Sequence, residues 1–291
     1  MITGSVLNDD GHLILSLDEK QTIESQHESL KKLVHPFLGS AELIQGIQRY
    51  CLVIGDKELE EAKKHGDISA RLNSVANVRK KSKKKEAREV LSLVPHCFQH
   101  KAGIPRKSAI VIPSVSSERR EWFPAGVVPA GSVVSNLAFM MLDAPDWYFA
   151  LASSRMHLVW IATVCGKLET RYRYSNTLGW NTFPVPELTG QNKEDLTHCA
   201  KDILLTREAN FPATIADLYD PDRMPADLLA AHERNDEVLE RIYIGRRFRN
   251  DTERLEKLFD LYTKMITQET KAKGTGPNQK AKARKRAEIA N

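Results

Sequence analysis

The chain has 291 residues, 41% of them hydrophobic, which suffices for one large domain or two modest ones. No apolar run approaches the roughly 18 residues of a membrane span, and the first residues, MITGSVLNDDGHLILS, lack the basic and apolar regions of a signal peptide, so a cytoplasmic protein away from membranes is expected. Four scattered cysteines (Cys51, Cys97, Cys165, Cys199) form no C-x-x-C pair, which argues for buried free thiols and against a metal site or disulfide framework, and the net charge of +5 is concentrated in two basic runs.

The predicted elements follow in chain order. Asn8-Asp9-Asp10-Gly11 is a turn, and His12–Leu15 a short strand. Residues 18–34 have helical composition, with Asp18 as cap and Pro36 as the stop. Ser40–Ile44 is a turn entering a short element, and 49–54 a strand. Residues 57–90 are strongly charged and predicted helical in two pieces; within them 79–88 carry seven basic residues against one acidic. The β-branched stretches 108–117 and 130–142 are strands of a mixed sheet. The spacing of Phe149, Leu151, Met156, Val159, Trp160 and Val164 predicts a helix over 145–168. Pro184 and Pro186 mark a boundary, after which 191–209, 225–244 and 250–267 are helical. The last residues hold seven cations and three of Gly and Pro with few apolar groups, the composition of a disordered basic tail.

Catalytic signatures are missing. Gly274-Thr275-Gly276 is the sole G-x-G, and it follows no strand. No Asp/Asn-Pro-Pro-aromatic loop of an amino-methyltransferase is present. Glu61-Ala62-Lys63 has nuclease-like spacing but lies in a charged helix, where surface ion pairing is the simpler role. His157 sits on an apolar face and reads as a packed histidine. No catalytic or metal-ligating residue is therefore assigned.

Five ordered stretches, VLNDDGHLILS (6–16), HPFLGSAELIQGIQRYCLVI (35–54), IPSVSSERREWFPAG (112–126), SSRMHLVWIATVCGKLETRYRYS (153–175) and LGWNTFPVPE (178–187), resemble the MmeI-like (type IIL) family of fused restriction-modification enzymes. AAHERNDEVLERIYI (230–244) and DTERLEKLFDLYTKM (251–265) are similar to that family's C-terminal module. Two positions depart from the pattern: Asp9-Asp10-Gly11 where paired glycines are usual, and Trp180 where tyrosine is.

The resemblance implies an α+β fold: a mixed-sheet target-recognition domain over 1–189, a small helical C-terminal domain over 190–268, and a basic disordered tail over 269–291. It also implies a bacterial sequence-specific DNA recognition module without the family's nuclease and adenine-methyltransferase domains. Its partners would be double-stranded DNA and a methyltransferase domain in cis or trans. S-adenosylmethionine would serve that domain, with no cofactor in this chain. A specificity subunit docking on a separate methyltransferase, or a non-functional truncated product, is the alternative.

Recognition needs cations on phosphates for position and polar groups on base edges for sequence. Arg71, Arg79, Lys80, Lys81, Ser82 and Lys83 are the candidate phosphate face. Ser116, Ser117, Glu118, Arg119 and Arg120 offer base-reading chemistry, and Arg171, Tyr172, Arg173 and Tyr174 interleave cations with aromatics for backbone contact or stacking.

Overall fold

The computed structural model describes residues 1–26 and 28–274. β1 (Ile2–Thr3) and β2 (Ile14–Leu15) flank the expected turn, and α1 (Leu17–Gln26) leads through a 3-10 turn, Glu28–Leu33, into β3 (Val34–Leu38). Asn8, Asp10 and Gly11 all adopt positive φ. Asp10 thus takes a conformation that a glycine holds without strain, and the Asp9 carboxylate fixes the turn by accepting the Leu13 N–H at 2.7 Å. Pro36 does not end a helix. It lies in the middle of β3, where the missing N–H is tolerated because Phe37 supplies the next bond, to Arg49 O.

α2 (Ser40–Gln45), β4 (Tyr50–Leu52), α3 (Leu59–Lys63), α4 (Gly66–Lys80) and α5 (Lys85–Glu89) follow, so the charged stretch forms three helices rather than two. The Glu61-Ala62-Lys63 run makes surface ion pairs, Lys63 with Glu60 and Lys64 with Glu61. Then come β5 (Ser108–Pro113), β6 (Val115–Ser116), β7 (Gly126–Pro129), β8 (Val133–Val134) and β9 (Ala138–Leu142).

These strands build a four-stranded antiparallel sheet, β1-β9-β5-β7, and a second four-stranded sheet, β2-β4-β3-β8, in which β3 and β8 run parallel. Gly4 lies where the sheets meet; a Cβ there would stand 2.2 Å from the Ser135 carbonyl oxygen, so only glycine permits this approach. After Ser108, β5 is apolar because both its faces are covered. Ile110 and Ile112 enter one core cluster, while Ala109 and Val111 enter another with Val128 and Met140.

The predicted helix over 145–168 is two helices, α6 (Trp147–Ala152) and α7 (Arg155–Val164). Ser154 breaks it by capping α7, its hydroxyl accepting the His157 N–H at 3.1 Å. β10 (Lys167–Leu168) and β11 (Arg171–Arg173) form a hairpin that extends β6 into a three-stranded sheet, β10-β11-β6. α8 (Gly190–Ala209), α9 (Ile215–Leu218), α10 (Ala226–Ile244) and α11 (Asp251–Gly274) complete the chain. The three long helices agree closely with expectation, except that α11 continues to Gly274; the rest of the expected disordered tail, 275–291, lies outside the described residues. Among the described residues no helix is long and apolar enough to cross a membrane.

The helical module shares the core of the sheet body. One cluster joins Ile112, Phe123, Phe149 and Trp160 with Leu196, Ile203, Leu239 and Leu258. Polar groups cross the same boundary. The Trp122 indole N–H and the Arg155 backbone N–H both donate to the Asp236 carboxylate at 2.7 Å, Arg155 pairs with Asp251 at 2.6 Å, and Tyr243 donates to Pro184 O.

Candidate nucleic-acid interface

Two of the candidate segments meet. β6 and β11 pair antiparallel, with Ser116 opposite Tyr172 and Val115 opposite Arg173. Side chains alternate along β11: Arg171 and Arg173 are exposed, Tyr172 is half-buried and Tyr174 is buried. The β10–β11 hairpin turns at Glu169-Thr170, with Glu169 in the left-handed region at φ 58°. Its tip is tied to the loop after β6: Thr170 donates its hydroxyl to Glu118 at 2.9 Å, and Arg171 pairs with Glu169 at 2.7 Å. Glu118's own backbone N–H, and after it the Thr170 hydroxyl, hold the Glu118 carboxyl below the usual range. Ser117, Glu118, Arg119, Lys167, Thr170, Arg171 and Arg173 thus form one polar rim, exposed except for half-buried Ser117.

Behind the rim the same segments turn inward. Ser116 is 2% exposed and accepts a hydrogen bond from Arg120, itself half-buried. Trp122 stacks on His232 at 4.8 Å. Tyr174 is 4% exposed and hydrogen-bonds with His157 Nε2 at 3.2 Å. These positions correct the expectation of DNA contact at Ser116 and Tyr174: both are core groups that hold the rim in place. His157 is fully buried, and burial pushes it down to about 4, so it stays neutral, with Nδ1 donating to Ala152 O and Nε2 accepting from Tyr174. It is the packed histidine the sequence indicates.

Arg119 reaches across to Asp222 at 2.6 Å, an exposed ion pair between the rim and the helical module. Beside it a cleft of about 440 Å³ opens between the 118–121 loop, α7 and α11, with Arg120, Arg155 and Tyr172 among its walls.

The remaining candidate segment sits on a separate core cluster, where Ile68, Leu72 and Val75 of α4 pack against Leu7, Leu13 and Leu52. Here the structure separates neighbours in sequence. Lys80, Lys81 and Lys83 are exposed, and Ser82 is half-exposed. Arg79 is fully buried, and all five of its N–H groups donate to carbonyl oxygens: Nε to Asn8, Nη1 to Leu91 and Val94, Nη2 to Leu7 and Cys97, all within 3.0 Å. Its expected phosphate contact is therefore corrected, since no donor is left and no surface exposed. Arg71 is largely committed as well, donating to His12 O and Ile14 O and pairing with Glu19.

Sequence reasoning missed Lys167 and Thr170, which the hairpin brings onto the rim. The available signal was the period-2 alternation on either side of Glu169-Thr170, the spacing of a two-residue hairpin. All four cysteines are free; Cys51 is buried as expected, and the other three are half-buried.

The sheet body and the helical module each match a described family. Residues 1–187 match the family described as "MmeI, target recognition domain", and residues 188–269 match "MmeI, C-terminal domain". The class is thus a target-recognition domain joined to its helical C-terminal domain, and the chain belongs to the MmeI family. It is 38% identical over 262 residues to the protein named DNA methyltransferase A of Bacillus subtilis (strain 168), covering 90% of this chain and 30% of that protein. A solved structure, titled "Structure of Type IIL restriction-modification enzyme MmeI in complex with DNA has implications for engineering of new specificities", superposes with a TM-score of 0.84 at 31% identity. That match covers 91% of this chain and 35% of that one. The chain thus spans about a third of the length of these relatives.

Proposed function

We propose that this chain is the sequence-specific DNA recognition module of a bacterial restriction-modification adenine methyltransferase. It acts on double-stranded DNA together with a methyltransferase domain in cis or in trans, in the cytoplasm. The observation that carries the reading is the superposition of nine-tenths of the chain on an enzyme solved with DNA. The polar rim supports it. Arg171 and Arg173 project from one strand with the fork geometry that matches guanine or phosphate, and Glu118 on the adjoining loop suits cytosine. Lys80, Lys81 and Lys83 supply charge that binds phosphates without selecting sequence. In this reading S-adenosylmethionine is used by the methyltransferase domain and not by these residues.

The test is fluorescence-anisotropy titration of duplex DNA over a range of salt, with a pool of random duplexes to find the preferred site. Binding that weakens steeply with salt, together with enrichment of one sequence, supports the proposal. Indifference to duplex DNA at low salt overturns it.

A further inference from the structure

Away from the rim, a groove of about 330 Å³ opens beside the end of β4, lined by Val53, Ile54, Asp56, His96, Phe98 and Lys101, with Cys97 on the same wall. Asp56 belongs to the turn after β4, and His96 and Cys97 to the turn after the 3-10 segment Leu91–Leu93, where the Cys97 N–H bonds to Val94 O. Folding brings these two turns together across 40 residues of sequence. His96 Nε2 lies 2.8 Å from the Asp56 carboxylate. One donor atom from each of Asp56, His96 and Cys97 falls within 4.8 Å of the others.

The His96 side chain is 4% exposed, and Nε2 is the ring nitrogen that faces Asp56. An ion seated between them would take the Nε2 lone pair and leave the ring proton on Nδ1, which is buried without a hydrogen-bond partner among the described residues.

We propose that Asp56, His96 and Cys97 form a binding site for a divalent transition ion of the zinc class. An imidazole nitrogen, a thiolate and a carboxylate are the donors that borderline-soft ions select over magnesium or calcium. Binding displaces the Cys97 thiol proton to water, and the thiolate and the Asp56 carboxylate then offset the ion's two positive charges. A tetrahedral ion needs donors roughly 3.5 Å apart, given bonds of about 2.0 Å to nitrogen and 2.3 Å to sulfur. Small rotations of the exposed Asp56 and half-buried Cys97 side chains supply that closure, and the groove leaves the fourth position to water. The ion would be structural. Cys97 O accepts from Arg79 Nη2, so a fixed 94–97 turn also fixes the end of α4 and the lysines after it.

Cobalt(II) titration of the full chain, stripped of metal, tests this by absorption. One equivalent should give a thiolate-to-cobalt charge-transfer band in the near ultraviolet, and zinc should displace it. Cys97→Ser should abolish the band while Cys165→Ser and Cys199→Ser retain it, and His96→Asn should weaken zinc binding by at least about tenfold. Circular dichroism checks that each variant is folded. Zinc should also raise the melting temperature of the wild type and leave that of Cys97→Ser unchanged. Absence of the charge-transfer band, or its persistence in folded Cys97→Ser, overturns the proposal.

Discussion

The Trp122 indole N–H donates to the Asp236 carboxylate at 2.7 Å, joining the segment behind the polar rim to the middle of α10. Both carboxylate oxygens are engaged, the other by the Arg155 backbone N–H. Burial nevertheless pushes Asp236 up to about 7, with nearby Glu240 adding to the rise and the two N–H donors and Arg254 opposing it. A carboxyl whose folded pKa lies above its unfolded value near 4 binds its proton more tightly when folded. Its contribution to stability is therefore largest at low pH and declines as pH rises from about 4 to about 7. Asp236→Asn removes this dependence. The melting-temperature difference, wild type minus variant, should shrink across that window and stay flat above it in scanning calorimetry.

Arg79 predicts a stability defect without a binding defect. Arg79→Met removes all five hydrogen bonds to backbone carbonyl oxygens, and urea unfolding should show a loss of about 3–5 kcal/mol. Arg79→Lys should recover only part of that loss, because an ammonium cannot reproduce a planar fork. The salt dependence of DNA binding by the folded fraction should be unchanged in both. A flatter salt dependence would show that Arg79 meets phosphate after all.

The exposed lysines beside it should behave in the opposite way. Replacing Lys80, Lys81 and Lys83 together with alanine should leave the unfolding midpoint nearly unchanged. It should flatten the plot of log affinity against log salt by up to about 2.7, near 0.9 for each phosphate contact removed. The loss should be equal on all sequences. A loss confined to one sequence would mean that this segment reads bases.

On the rim the expected signature is lost selectivity. Arg171→Ala and Glu118→Gln should each cost about 1–3 kcal/mol of discrimination at one base pair, measured as the ratio of affinities for cognate and single-substituted duplexes, with little effect on non-specific binding. Thr170→Val, which frees Glu118 from its hydroxyl partner, should change the same position more weakly. If these substitutions weaken all duplexes alike, the rim is a phosphate contact rather than a reader.

Where apolar periodicity extended over many residues, the sequence was legible. α8, α10 and α11 each carry a stripe at helical spacing, and their starts fall within a residue of expectation. The breaks were harder to read. Ser153-Ser154 looked like small residues inside a helix, but Ser154 caps a new one. Pro36 looked like a stop because its place in β3 depends on which neighbours need its N–H, and those neighbours come from elsewhere in the chain.

The candidate interface was legible as three segments and illegible as individual residues, because charge in sequence carries no information about direction. Arg79 and Lys80 are adjacent, yet one faces five carbonyls and the other faces solvent. Tyr172 and Tyr174 followed strand alternation, and only the docking of β11 against α7 decides that Tyr174 ends beside His157.

The shared core has a practical consequence for anyone moving specificity between relatives. A cut near residue 188, where the two family descriptions meet, would part Ile112 and Phe149 from Leu239 and Leu258 and would leave Asp236 facing no indole. The exchangeable cassette is therefore the sheet body with its helices attached. A chimera that swaps the rim alone must keep Trp122, Arg155 and Asp236 in register, or it will lose its seat before it gains a new target.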